Sequence, residues 1–136
     1  MPALNALYRD YHDRAALYIV YIQEAHPVDG WQVDDNESDD VLVASTRTSD
    51  ERTQVAGVCV RNLGIELPAL VDEPDNRIER AYTGWPDRLY VVDRDGRVAY
   101  KSAAGPFGFK PAEVAAVLAR LLPPENVSAD ARVSVP

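Results

Sequence analysis

The chain has 136 residues, a length that suits one domain. Its formal charge of −8, from 22 acidic against 14 basic residues, argues against nucleic-acid binding through phosphate neutralisation. No apolar run approaches the ~20 residues of a membrane span, so no membrane partner is expected. The opening "MPALNALYRDYHDR" has no basic start followed by an apolar block, which is not the pattern of a secretory signal. A cytoplasmic location is the resulting expectation. A single cysteine, Cys59, excludes an internal disulfide and any Cys-x-x-Cys pair.

In chain order, Leu4, Leu7, Tyr8 and Tyr11 fall at i, i+3, i+4 and i+7, the stripe of an amphipathic helix. "ALYIVYI", residues 16–22, is a continuous apolar run and reads as a strand buried on both faces. A helix feeding such a strand is the second half of a βαβ unit. Residues 24–40 read as a loop, acidic in "DDNESDD", and "VLVA" at 41–44 as a short extended piece. Thr48 with Glu51 fits a capping box, opening a helix with Val55, Val58, Cys59 and Leu63 on one face. Gly64 supplies its stop. "LPALV", 67–71, reads as a strand at a sheet edge or with Pro68 at its start. "DNRIERAY", 75–82, reads as a short helix with Asp75 as its N-cap. "RLYVV", "DRDG" and "RVAY" make a hairpin signal. Pro111 opens a last helix with Val114, Val117, Leu118 and Leu121 inward, and Pro123 and Pro124 end it. The domain is thus expected over 1–122, with a polar, mobile tail at 123–136.

The element order implies an α/β sandwich with a mixed sheet. "DDNESDD" does not fit a calcium loop, and zinc spacings, P-loops and Rossmann glycines are all missing, so no metal or cofactor is expected.

Four segments, "YIQEAHPVDGW", "PALVDEPDN", "AYTGWPDRLYVV" and "YKSAAGPFGFKPAEVAAVL", together resemble the iodothyronine deiodinase family in its bacterial, thioredoxin-fold form. The resemblance runs over about residues 3–122. "EAHP-x-DGW" and "P-x-RLYV" are its specific parts. Val28 stands where a small polar residue is usual, and Trp85-Pro86-Asp87 where the family reads Leu-Pro-Glu. The resemblance implies a thioredoxin-like sandwich of the peroxiredoxin type. In the family an opening strand leads to a turn carrying a selenocysteine or cysteine nucleophile. The helix after that turn resembles residues 2–14 here, so the first core strand and the nucleophile are expected to be missing from these 136 residues. The remaining sheet should then be split, distorted or closed up between 17–22 and 88–93. Strands 17–22 and 67–71 should pair in parallel, and 88–93 with 97–101 antiparallel.

His26 and Glu24 end the first strand. Strand ends are where an open α/β sheet presents its chemistry. From spacing alone His26 is a loop histidine bonded to backbone. The resemblance instead implies a catalytic role, handling a proton beside the nucleophile during reductive dehalogenation. Glu24 lies two residues earlier on the same side of an extended chain. It either orients His26 or is a solvated carboxylate. Trp31 walls a pocket or covers the core, the second being favoured. Pro86, before a strand, matches the position of the fold's cis proline at the substrate site. Arg88 meets a substrate carboxylate or pairs with Asp87, the pair being favoured. Cys59, on an apolar helix face, reads as an inert thiol. His12 reads as a surface histidine.

Implied partners are a small aromatic, halogenated substrate and a thiol reductant. Two alternatives stay open: a non-catalytic thioredoxin-like binding module, and a thiol peroxidase if an upstream cysteine exists. Unpaired strand edges would also favour self-association.

Overall fold

The computed structural model describes residues 1–24 and 45–124. Helix α1 is Pro2–Tyr11, with Pro2 in its first turn, where a missing N–H is harmless. Its stripe turns Leu7 into the core and packs Leu4 and Tyr11 beside it. Buried Asn5 lies on the same helix. Its amide donates to the Gly64 carbonyl at 2.7 Å, and its oxygen accepts from the Glu66 N–H at 3.0 Å.

Strand β1 is Ile19–Tyr21 and β2 is Ala69–Val71. They pair in parallel, with Ile19 opposite Ala69 and Tyr21 opposite Val71. Between them runs helix α2, Ser49–Asn62, opened by the expected capping box of Thr48 and Glu51. It stops at Gly64, whose φ of 60° lies in the left-handed region that glycine enters freely. Helix α3 is Arg77–Tyr82. Strands β3, Tyr90–Val92, and β4, Val98–Lys101, form the expected antiparallel hairpin, with an irregularity at Val91/Val92. Helix α4, Pro111–Leu121, packs on α1 and on this hairpin.

The molecule is thus mixed α/β, as expected, and its described residues form two separate two-stranded sheets, β1-β2 and β3-β4. Leu7, Val91, Val114 and Leu118 form the core that joins α1, α4 and β3. A cleft of about 660 Å³ lies between β3 and the segment leading into β1, lined by residues that include Leu4, Leu17, Leu89 and Val91.

Four readings need correction. β1 is not buried on both faces. Val20 is 41% exposed, because no strand among the described residues covers the outer edge of β1. Val58 and Leu121 are exposed rather than buried, Leu121 at the rim of the cleft. On α2 the buried side chains are Arg52, Ala56 and Cys59. The N-cap of α3 is Asn76, at φ 56°, rather than Asp75. Asp75 instead accepts the Arg77 N–H at 3.2 Å. The segments 25–44 and 125–136, with "DDNESDD", "VLVA" and nearly all of the expected tail, lie outside the described residues.

Candidate functional site

The carboxyl ends of β1 and β2 meet in one polar cluster. β1 continues through Ile22 and Gln23 to Glu24, which is half-buried. One Glu24 oxygen accepts the Tyr21 hydroxyl at 3.3 Å. The other accepts the Thr46 N–H at 3.3 Å and its hydroxyl at 3.4 Å. Glu24 is therefore held by neutral donors at the strand end rather than left solvated.

Behind Thr46 stands Arg52, only 2% exposed. Its Nε donates to Thr46 Oγ1 at 3.1 Å. One terminal nitrogen donates to the Glu73 carbonyl and to Asn76 Oδ1, each at 2.8 Å, and to the Asp72 carbonyl at 3.4 Å. This single guanidinium joins the start of α2, the end of β2 and the start of α3. Asp72, also 2% exposed, completes the frame. Its N–H donates to the Tyr21 carbonyl at 2.8 Å. Its carboxylate accepts the N–H groups of Glu73, Ile78 and Glu79 at 2.9–3.1 Å. An acid four residues upstream of the N-cap thus satisfies the first turn of α3. Asn76 and Glu79 both reach Gln23, at 3.5 and 3.2 Å.

Neither Arg52 nor Asp72 was singled out in the sequence. Arg52 could have been: it sits three, four and seven residues before Val55, Ala56 and Cys59, on their face.

Cys59 is buried beside the Tyr21 hydroxyl. Burial pushes its thiol up, and Glu24 adds to the rise, against a hydrogen bond from Tyr21 that lowers it. The Tyr21 phenol is also driven far up, by burial first and then by Cys59 and Glu24. Cys59 is therefore an inert thiol at neutral pH, as the sequence suggested.

The second part of the site is the turn before β3. A Cβ on Gly84 would lie 3.6 Å from Ile22 Cδ1, so this turn sits against the end of β1. The Trp85–Pro86 peptide is cis, as expected, and so is Gly105–Pro106. Asp87 lies between these two turns. Its carbonyl accepts the Gly105 N–H at 3.0 Å. Its Oδ1 is buried without a hydrogen-bond partner among the described residues. Burial pushes the Asp87 carboxyl up, with the Arg88 charge opposing. Arg88 does not form the expected ion pair. Its guanidinium donates to the Thr83 carbonyl at 2.7 Å and the Ser102 carbonyl at 3.0 Å, which fixes it to the backbone on both sides of the hairpin.

Of the expected site residues, the structure thus describes Glu24, Pro86 and Arg88. His26 and Trp31 lie outside the described residues. His12 is exposed and accompanies Tyr8 and Asp13.

A family model described as iodothyronine deiodinase matches residues 1–122. The chain belongs to the iodothyronine deiodinase family. Among relatives, it is 31% identical over 114 residues to a type I iodothyronine deiodinase of Xenopus laevis. It is 33% identical over 117 residues to a thyroxine 5-deiodinase of Sparus aurata. It is 30% identical over 116 residues to a type II iodothyronine deiodinase of Rattus norvegicus. Each match covers 84% of this chain. The chain spans only 41–43% of the length of these relatives. The β1–Glu24 strand end and the turn before β3 both lie inside the matched region.

Proposed function

We propose that this chain is the substrate-binding part of a thioredoxin-like, deiodinase-type domain in the cytoplasm. The ligand is an iodinated aromatic of the iodothyronine type. In the complete reaction a carbon–iodine bond becomes carbon–hydrogen and iodide leaves. The two electrons come from thiol oxidised to disulfide, and the hydrogen arrives as a proton. Glu24 orients His26, and His26 handles the proton at the phenolic ring. Trp31, Pro86 and Arg88 border the ring site.

One observation carries this reading: Glu24 is fixed at a strand end, by Tyr21 and Thr46, inside a region matched by the deiodinase model. For residues 1–136 alone the binding-module reading is favoured over turnover. Their one cysteine is buried and its thiol is raised.

The test pairs thyroxine binding, followed by tryptophan fluorescence, with iodide release in dithiothreitol. Saturable binding that weakens in Glu24→Ala and His26→Ala is expected, with iodide release at background. Iodide release abolished by Cys59→Ser would overturn the assignment of Cys59 and with it the binding-only reading. Unchanged binding in both alanine variants would remove the site.

A further inference from the structure

Both oxygens of Glu24 are held from one helix. Arg52 and Cys59, seven residues apart on the buried face of α2, stand behind the two side chains that donate to it. On one side the Tyr21 hydroxyl, beside Cys59, donates to Oε1 at 3.3 Å. On the other the Thr46 hydroxyl and N–H donate to Oε2, at 3.4 and 3.3 Å. Arg52 Nε in turn donates to Thr46 Oγ1 at 3.1 Å.

Chemistry sets the direction of this second chain of bonds. A guanidinium only donates, so Thr46 Oγ1 gives a lone pair to Arg52. Its one proton is then directed to Glu24 Oε2. Bonds in series strengthen one another where the local dielectric is low. Arg52 itself has little freedom. It is 2% exposed, and its terminal nitrogen is tied to the Glu73 and Asp72 carbonyls and to Asn76 Oδ1. The fixed point behind the carboxylate is therefore Arg52, one side chain removed from it.

We infer that Arg52 is a positioning residue of the Glu24 site: acting through the Thr46 hydroxyl, it fixes where the Glu24 carboxylate stands. For ligand binding this inference rests on the proposed role of Glu24 toward an iodothyronine-type aromatic.

Three variants test it. Arg52→Lys keeps the charge but loses the planar fork that reaches Thr46 and the start of α3 together. Thr46→Val keeps the shape and removes the hydroxyl, whereas Thr46→Ser keeps the hydroxyl. Amide exchange at residue 46 reads Glu24 without any ligand, because that N–H donates to Glu24 Oε2. Exchange at Ile19, whose N–H donates to the Pro68 carbonyl, registers any general loss of stability. After correction for intrinsic rates and relative to Ile19, exchange at residue 46 is expected to quicken at least about tenfold in Arg52→Lys and Thr46→Val, and to stay within about twofold of the parent in Thr46→Ser. Thyroxine affinity, followed by tryptophan fluorescence, is expected to fall at least about threefold in the first two variants and to recover in the third. Unchanged relative exchange at residue 46 in Arg52→Lys or Thr46→Val would overturn the inference, and Arg52 would then serve the fold alone. Thyroxine bound equally by the parent and by those two variants would also overturn it. Failure of the parent to bind thyroxine, with the exchange response intact, would overturn the reading of the ligand and support Arg52 as the residue that places Glu24.

Discussion

Removing the Arg52 guanidinium would leave the Glu73 and Asp72 carbonyls, Asn76 Oδ1 and Thr46 Oγ1 without their donor. Buried acceptors left unmade are expensive, so Arg52→Met is expected to cost roughly 2–4 kcal/mol, read from urea midpoints. Loss within a few tenths of a kcal/mol would show that water replaces the arginine freely. Asp87 gives the opposite sign. Because burial outweighs Arg88, the folded state holds the Asp87 proton more tightly than the unfolded chain does. The stability linked to that proton is full below the ordinary aspartate range and is lost as pH rises through the raised folded value. Asp87→Asn should therefore be more stable than the parent at about pH 7 and converge with it near about pH 3. A constant difference across that range would mean that the effect is steric. Neither residue could be read from its neighbours alone. An arginine in a helix normally points to solvent, and the Asp87–Arg88 adjacency suggested an ion pair, whereas the Arg88 guanidinium donates to the Thr83 and Ser102 carbonyls instead.

At the scale of elements, local signals were legible and distant ones were not. The capping box of α2 spans four residues, so Thr48 and Glu51 could be recognised directly, and both reciprocal bonds form. Thr48→Ala is expected to lower stability by about 1 kcal/mol in chemical denaturation, and a neutral result would mean that the first turn frays regardless. The start of α3 was misread because its N–H groups are satisfied from Asp72, beyond the reach of a capping pattern. Glycine 105 shows the same limit. It reads as loop material, yet a Cβ there would lie 1.9 Å from Asp87 Oδ2, and its N–H already holds the Asp87 carbonyl. Gly105→Ala should separate the two turns and destabilise the chain by roughly 1–3 kcal/mol. Wild-type stability in that variant would show that Asp87 swings away at little cost.

At the scale of the molecule, the parallel pair and the hairpin were legible from their own signals, a helix-fed apolar run and a turn between two strands, whereas the break between them was expected only through the family resemblance. The outward exposure of Val20 was not legible, since burial of a strand depends on what lies beside it. That exposure bears on stability. The cluster of Leu7, Val91, Val114 and Leu118 supplies ~1.5–3 kcal/mol per side chain, against a typical domain margin of ~5–15 kcal/mol. Leu4, Leu17 and Leu89 line an open cleft rather than a filled core, and so contribute less than full burial would. The free chain is therefore expected at or below about 5 kcal/mol in urea denaturation, the bottom of the usual range. Its cleft should bind 1-anilinonaphthalene-8-sulfonate under native conditions, with a sharp hairpin and helix signal retained. Sedimentation should show association that grows with concentration, because β1 and β3 each have a partner on only one side among the described residues. A strictly monomeric chain with a single steep transition and ordinary stability would contradict all three expectations, and would mean that α1 and α4 alone hold the two sheets in place.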